Sequence, residues 1–320
     1  MIVRWGLEEL PGVLAEAGIE RPFLVASDRW DHLDLPAGGR WSEVPSHRID
    51  DAAEATEGCD GLLVAGGGSA IDLTKALSAK TGLLFVSVPT TYSGAEWTTS
   101  YGIRDPGRLM RGHGSGAHPA GIVYEPKLTL DLPRGVTGGT AMNALAHCAE
   151  ALYVEGHNPE ADEHALEGAK LIGGSLPSVL EDGHDLEART TLLRGAMHAG
   201  AAFGSAGLGL AHAMAQAVGG RYGIAHGAAN ALCLPPALRF NEPVAGAEIA
   251  RFAGALGAPD AAARCEELAR LSGFERLRDL GVPEDELDEV AEAAAVRQGA
   301  LVNPRRASPA EIAELLRSIW

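Results

Sequence analysis

Aromatic residues make up only 5% of this 320-residue chain, cysteines number four, and Lys and Arg (26) are outnumbered by Asp and Glu (43), giving a formal net charge of −17. Each shortage excludes something. Nucleic-acid binding needs clustered cations against the phosphate backbone, and this chain gathers none, so nucleic-acid partners are excluded. Cys59, Cys148, Cys233 and Cys265 are far apart and form no CxxC pair, which argues against a zinc ribbon or a disulfide framework and for reduced thiols in a cytoplasm. No stretch reaches the ~18 apolar residues of a membrane span, and Met1 to Gly6 lacks the apolar centre of an export signal. What remains is a globular composition, 46% hydrophobic and 22% charged, in a chain long enough for two domains.

Along the chain, short apolar runs alternate with helical patterns until about residue 130, after which strand signals fade. Pro22 to Ala26, Gly61 to Ala65, Leu84 to Val88 and Gly121 to Tyr124 read as buried strands of a mostly parallel sheet. Pro36 to Gly39 and Gly112 to Gly116 read as loops. From Thr137 onward, Ala, Leu and Glu recur at spacings of three and four, as in Ala161 to Leu171 and Glu284 to Gln298, so the second part is expected to be helical. The expected organisation is an α/β dinucleotide-binding domain over 1–130 and an all-α substrate or metal domain over 131–320.

Gly66, Gly67, Gly68 and Ser69 follow the strand ending at Ala65 and open a helix through Asp72 and Lys75. Glycines let backbone amides approach a pyrophosphate, and the positive end of the following helix favours its charge. A second strand end carries hydroxyls at Thr90, Thr91 and Ser93, and ligands of open α/β sheets bind outside such carboxyl ends. Lys75 is expected either to pair with Asp72 or to sit over phosphates. Asp28, after the first buried strand, reads either as a ribose-binding carboxylate or as a turn or cap aspartate. Between Asp28 and Trp41 there is too little chain for a full crossover helix. Further on, Asn143 and His147 share a helix face at i and i+4 and are joined by His212 and His226. Imidazoles suit Fe or Zn, but an amide brings no charge, so this set is either a weakened metal centre or a metal-free histidine pocket; Asn143 read alone is a helix-interior amide bonded to nearby chain. Arg305 and Arg306 are candidates for pairing with a dicarboxylate, or plain exposed arginines.

Together, the Gly66-to-Ser69 turn with Asp72 and Lys75, the Pro89-Thr90-Thr91 turn, the Asn143/His147 pair and His212 with His226 resemble the iron-containing alcohol dehydrogenase superfamily. Val88 to Glu96, Met142 to His147 with Glu150 to Tyr153, and Asn303-Pro304-Arg305 most resemble its maleylacetate reductases. The resemblance implies a nicotinamide-dependent oxidoreductase acting on an unsaturated oxo-dicarboxylate from aromatic-ring breakdown. NADH or NADPH would lie on Asp28, Gly66, Gly67, Gly68, Ser69, Asp72, Thr90, Thr91 and Ser93. His147, His212 and His226 would be catalytic, with Asn143 completing any metal site, and the enzyme would be a homodimer. One position departs from the family pattern: where a proton-transferring histidine usually stands four residues after His212, this chain has Gln216, which bonds but does not shuttle protons near neutral pH. Two other readings stay open, a metal-dependent alcohol dehydrogenase or aldehyde reductase, and a non-redox lyase, cyclase or binding protein reusing the histidine pocket.

Overall fold

The computed structural model describes all 320 residues, which divide into two compact units, Met1–Thr91 with Ala95–Thr129 and Tyr92–Gly94 with Leu130–Trp320. A single linear boundary near residue 130 does not capture Tyr92–Gly94, which groups with the second unit.

The first unit is built on a six-stranded parallel sheet. Its strands are β1 (Ile2–Trp5), β2 (Pro22–Val25), β3 (Gly39–Trp41), β4 (Gly61–Gly66), β5 (Phe85–Pro89) and, after a separate antiparallel hairpin of β6 (Tyr101–Arg104) and β7 (Met110–Gly114), β8 (Pro119–Tyr124). The order is β1-β8-β5-β4-β2-β3. β4 and β5 are buried at every residue, because a central parallel strand is covered on both faces, and this is why they read as unbroken apolar runs. Side chains alternate across the sheet. Leu63, Ala65, Val86 and Val88 pack with Leu10, Val13 and Leu14 of α1 (Leu10–Glu16). Leu62, Val64 and Phe85 pack on the other face with Ala52 of α2 (Ile49–Glu54) and with Ile71, Leu73 and Leu77 of α3 (Gly68–Thr81). β2 passes to β3 through one 3-10 turn, Asp28–Trp30, in place of a crossover helix, as the short intervening sequence requires. The Gly112-to-Gly116 stretch is not all loop: residues through Gly114 are held as β7 by pairing with β6.

The second unit is helical: α4 (Arg134–Ala151), α5 (Pro159–Glu181), α6 (Leu186–Ala206), α7 (Leu210–Tyr222), α8 (His226–Ala255), α9 (Ala261–Leu271), α10 (Leu287–Ala295), α11 (Gln298–Leu301) and α12 (Pro309–Ser318). Side-chain caps start four of them. Asn158, Asp185 and Asp260 accept from the third residue onward, and Ser308 with Glu311 forms a capping box. α4 and α8 meet with almost no side chain between them, since a Cβ on Gly227 would lie 2.3 Å from the carbonyl oxygen of Gly139. That approach sets His226, the first residue of α8, against the helix that carries Asn143 and His147.

Candidate active site

In the first unit, Gly67 is the single residue between the end of β4 and the start of α3. A Cβ there would lie 2.7 Å from Cγ2 of Thr91, so any larger residue forces the Thr91 side chain to move. The Thr90 amide donates to Gly66 O at 3.0 Å and ties the ends of β4 and β5 together. The amides of Ala70 and Ile71 turn back to Gly67 O, while those of Gly68 and Ser69 precede the first intrahelical bonds, at the positive end of α3. Thr91 Oγ1 is buried with no hydrogen-bond partner. A bare-backbone turn with leading amides and an unsatisfied hydroxyl fits a dinucleotide's phosphates and ribose. Asp28 lies exposed beyond the end of β2, the strand beside β4.

Two neighbouring residues serve the fold. Lys75, buried within α3, donates to Thr98 Oγ1 and Ser100 O at 2.8 Å and lies 3.3 Å from Asp72 Oδ1. Asp72 also accepts from the Gly102 amide of β6. Of the two roles open to Lys75, pairing with Asp72 is the one adopted. Burial raises the Asp72 carboxyl above its usual range, with Lys75 pulling the other way.

In the second unit the three imidazoles converge. His147 stacks between Phe203 (4.5 Å between centroids) and His212 (4.8 Å), and His212 lies 5.5 Å from His226. His212 is fully buried, and its Nδ1 lies 2.6 Å from Glu150 Oε2, while Glu150 Oε1 accepts from the His212 backbone amide at 3.2 Å. Asn143 Nδ2 donates to Ser93 O at 3.1 Å, which fixes the amide and turns Oδ1 toward His212 Nε2 (3.2 Å) and Asn230 Nδ2 (2.7 Å). Asn230 Nδ2 also reaches His226 Nε2 at 3.0 Å. Asn143 and His147 are 3.5 Å apart at Nδ2 and Nε2, a long contact.

Both ring nitrogens of His212 face oxygen atoms, Nδ1 the Glu150 carboxylate and Nε2 the Asn143 amide oxygen, a setting in which either nitrogen can serve as a donor. His226 Nε2 faces the Asn230 amide nitrogen. Glu150 and Asn230 are the functional candidates that reading the sequence did not single out. Their signal was spacing: Glu150 stands three residues after His147 on one helix face, and Asn230 stands four after His226, mirroring Asn143 and His147. Ser93 groups with the second unit, and its carbonyl accepts from the Asn143 amide.

A divalent ion would find imidazoles here but no charge, and the Nε2 atoms of His212 and His226 are already engaged with amides. No group of three or more His, Cys, Asp and Glu side chains is arranged to hold a metal. As folded, the set does not fit a metal ion. Of the arginines near the C-terminus, Arg305 pairs with Glu311 at 2.6 Å and lies 4.0 Å over Phe240, and Arg306 is exposed.

The fold and this constellation define a class. Residues 39–119 match the model described as iron-containing alcohol dehydrogenase, and residues 137–320 match the Fe-containing alcohol dehydrogenase family, C-terminal. The chain belongs to the iron-containing alcohol dehydrogenase family. It is 39% identical to maleylacetate reductase 2 of Cupriavidus pinatubonensis, covering 98% of this chain and 92% of that one. The crystal structure of maleylacetate reductase from Agrobacterium tumefaciens superposes with a TM-score of 0.89 at 29% identity, over 100% of this chain and 95% of the other. A putative alcohol dehydrogenase from Ralstonia eutropha superposes at 0.91 with 30% identity, over 100% and 95%.

Proposed function

We infer that this chain is a NADH- or NADPH-dependent reductase of an unsaturated oxo-dicarboxylate, maleylacetate being the substrate named by its relatives and 3-oxoadipate the product. The observation that carries the reading is the buried Glu150–His212 pair, with His212 Nε2 turned to the Asn143 amide beside His226. A nicotinamide held at Gly67, Gly68 and Thr91 supplies the hydride when bound. As the carbon β to the 4-oxo group gains that hydride, its double bond shifts toward the carbonyl and negative charge develops on the oxo oxygen. His212 Nε2 is placed to donate to that oxygen, and Glu150 favours the protonated ring before the proton moves. A proton delivered to the carbon between the oxo group and the reduced carbon restores the ketone, with His226 a second imidazole to relay it, and His147 stacks on His212 and fixes its plane.

The metal-dependent alcohol dehydrogenase reading is weaker, because Asn143 gives the donor set no charge. The non-redox reading leaves the buried hydroxyl of Thr91 and the bare turn at Gly67 without a use. Unpaired thiols at all four cysteines support a cytoplasmic setting, and β1 and β3, each with one unpaired edge, offer surfaces for a homodimer.

Purified protein is expected to oxidise NADH or NADPH in proportion to added maleylacetate; no oxidation of either nucleotide sinks the assignment. Gly67→Val drives a branched side chain into Thr91, and is expected to weaken nucleotide binding by about tenfold or more, read by fluorescence titration. Unchanged affinity would remove the turn from the nucleotide site. Glu150→Gln keeps a hydrogen-bonding side chain beside His212 but removes its negative charge. By analogy with triads in which this change disturbs the tautomer, kcat is expected to fall by about 10²- to 10⁴-fold with KM little changed. A purely structural role predicts a lower melting temperature and near-normal kcat.

A further inference from the structure

The second unit contains a pocket of about 430 Å3 with His212 in its wall. That volume is within the ~300–1,000 Å3 typical of small-ligand sites. Its chemistry is uneven. Small residues such as Gly207 and Ala213 make room, Gln298 also lines it, and Glu155, its only acidic residue, is exposed. Gln216 also lines it, one helical turn after His212 on the same face of α7, about 6 Å further along the axis.

Behind Gln216 stands a half-buried cation whose donors are little used: Arg134 and Arg189 also lack a carboxylate, but they spend their guanidinium groups on carbonyl and hydroxyl oxygens. Arg221, Arg239, Arg251, Arg264 and Arg317 each pair with a carboxylate at 2.6–2.7 Å. Arg297 pairs with none. Its side-chain hydrogen bond runs from Nη1 to Gln216 Oε1 at 3.4 Å, and its Nε is buried without a partner. Burial alone lowers its proton affinity, since no anion opposes it. A half-buried guanidinium lacking an anion carries a desolvation cost that an arriving carboxylate offsets, and its planar donors suit that group. With Oε1 turned to Arg297, the Gln216 amide nitrogen is left as a second donor.

We propose that Gln216 and Arg297 form the carboxylate-binding end of the substrate pocket, holding one carboxylate of a dicarboxylate while its oxo group lies at His212. The proposal rests on the oxo-dicarboxylate reading and adds its recognition. It also gives Gln216 a task suited to an amide, binding in place of proton transfer.

Adipate, an unreactive six-carbon dicarboxylate, separates this proposal from the assignment of activity. Calorimetry is expected to show adipate binding to the native enzyme and a loss of about 10- to 100-fold in Arg297→Met, the size of a charged hydrogen bond, with partial recovery in Arg297→Lys. In turnover, KM for maleylacetate rises by a similar factor in Arg297→Met while kcat and nucleotide affinity stay within about threefold, the pattern of a lost binding contact. A merely structural tie between α7 and α11 predicts lower thermal stability with adipate affinity unchanged, and that result overturns the proposal, as does failure of the native enzyme to bind adipate. If Arg297→Met does not fold, Gln216→Leu is read in the same way. Should the native enzyme ignore maleylacetate yet bind adipate through Arg297, the assigned activity falls and this site stands.

Discussion

Replacing His212 with asparagine is expected to lower kcat for maleylacetate reduction by about 10²- to 10⁴-fold, the usual contribution of a positioned acid. Asparagine is the informative choice because its Nδ2 lies close to where the Nδ1 of histidine was. The Glu150 carboxylate, fully buried, therefore keeps a hydrogen-bond donor and is not left wholly unsatisfied. What disappears is the Nε2 atom beside Asn143. Nucleotide binding is expected to hold, since the turn at Gly67 lies in the first unit. Steady-state kinetics with a parallel melting curve decide the matter, and kcat within about threefold of the native value would remove His212 from the chemistry.

Asn143→Asp should have the opposite character, creating a capacity. The amide nitrogen now donates to Ser93 O, and a carboxylate oxygen placed there meets a carbonyl oxygen instead. That repulsion, with the added charge, turns a hydrogen-bonded network of neutral amides and imidazoles into one that a divalent cation relieves. Zinc or iron content is expected to rise toward one per chain, through a gain in affinity exceeding the ~10- to 100-fold of outer-shell changes, and turnover to become sensitive to a chelator. Metal analysis of protein purified with added zinc tests this. A variant that stays metal-free shows that something other than the missing carboxylate keeps ions out.

Much of this architecture could be read from the chain because its signals are local. β2, β4, β5 and β8 are apolar runs since both sides of a parallel strand are covered, and Asn143 with His147 follows from helix periodicity alone. β7 could not be read this way: Met-Arg-Gly-His-Gly is exposed at four of five positions and is a strand only because β6 pairs with it. β1 is likewise stabilised by β8, more than a hundred residues later. Glu150 and Asn230 carry visible spacings, but which ring nitrogen each meets depends on how α4, α7 and α8 pack. Arg305 drew attention as a carboxylate ligand for its charge and position, and the fold spends that charge on Glu311 at the start of α12. Arg297 drew none, because an arginine's lack of a counter-ion has no trace in sequence.

The contact of Gly139 with Gly227 fixes the gauge of this site by peptide groups and not by packing volume. A side chain in a core can be trimmed or rotated to absorb a neighbour's change, whereas two main chains in touch have nothing to yield. The spacing between the α4 amide and the α8 imidazole is thus insulated from drift elsewhere in the bundle, and even one added methyl at residue 227 should be felt at Asn143 before it is felt anywhere else.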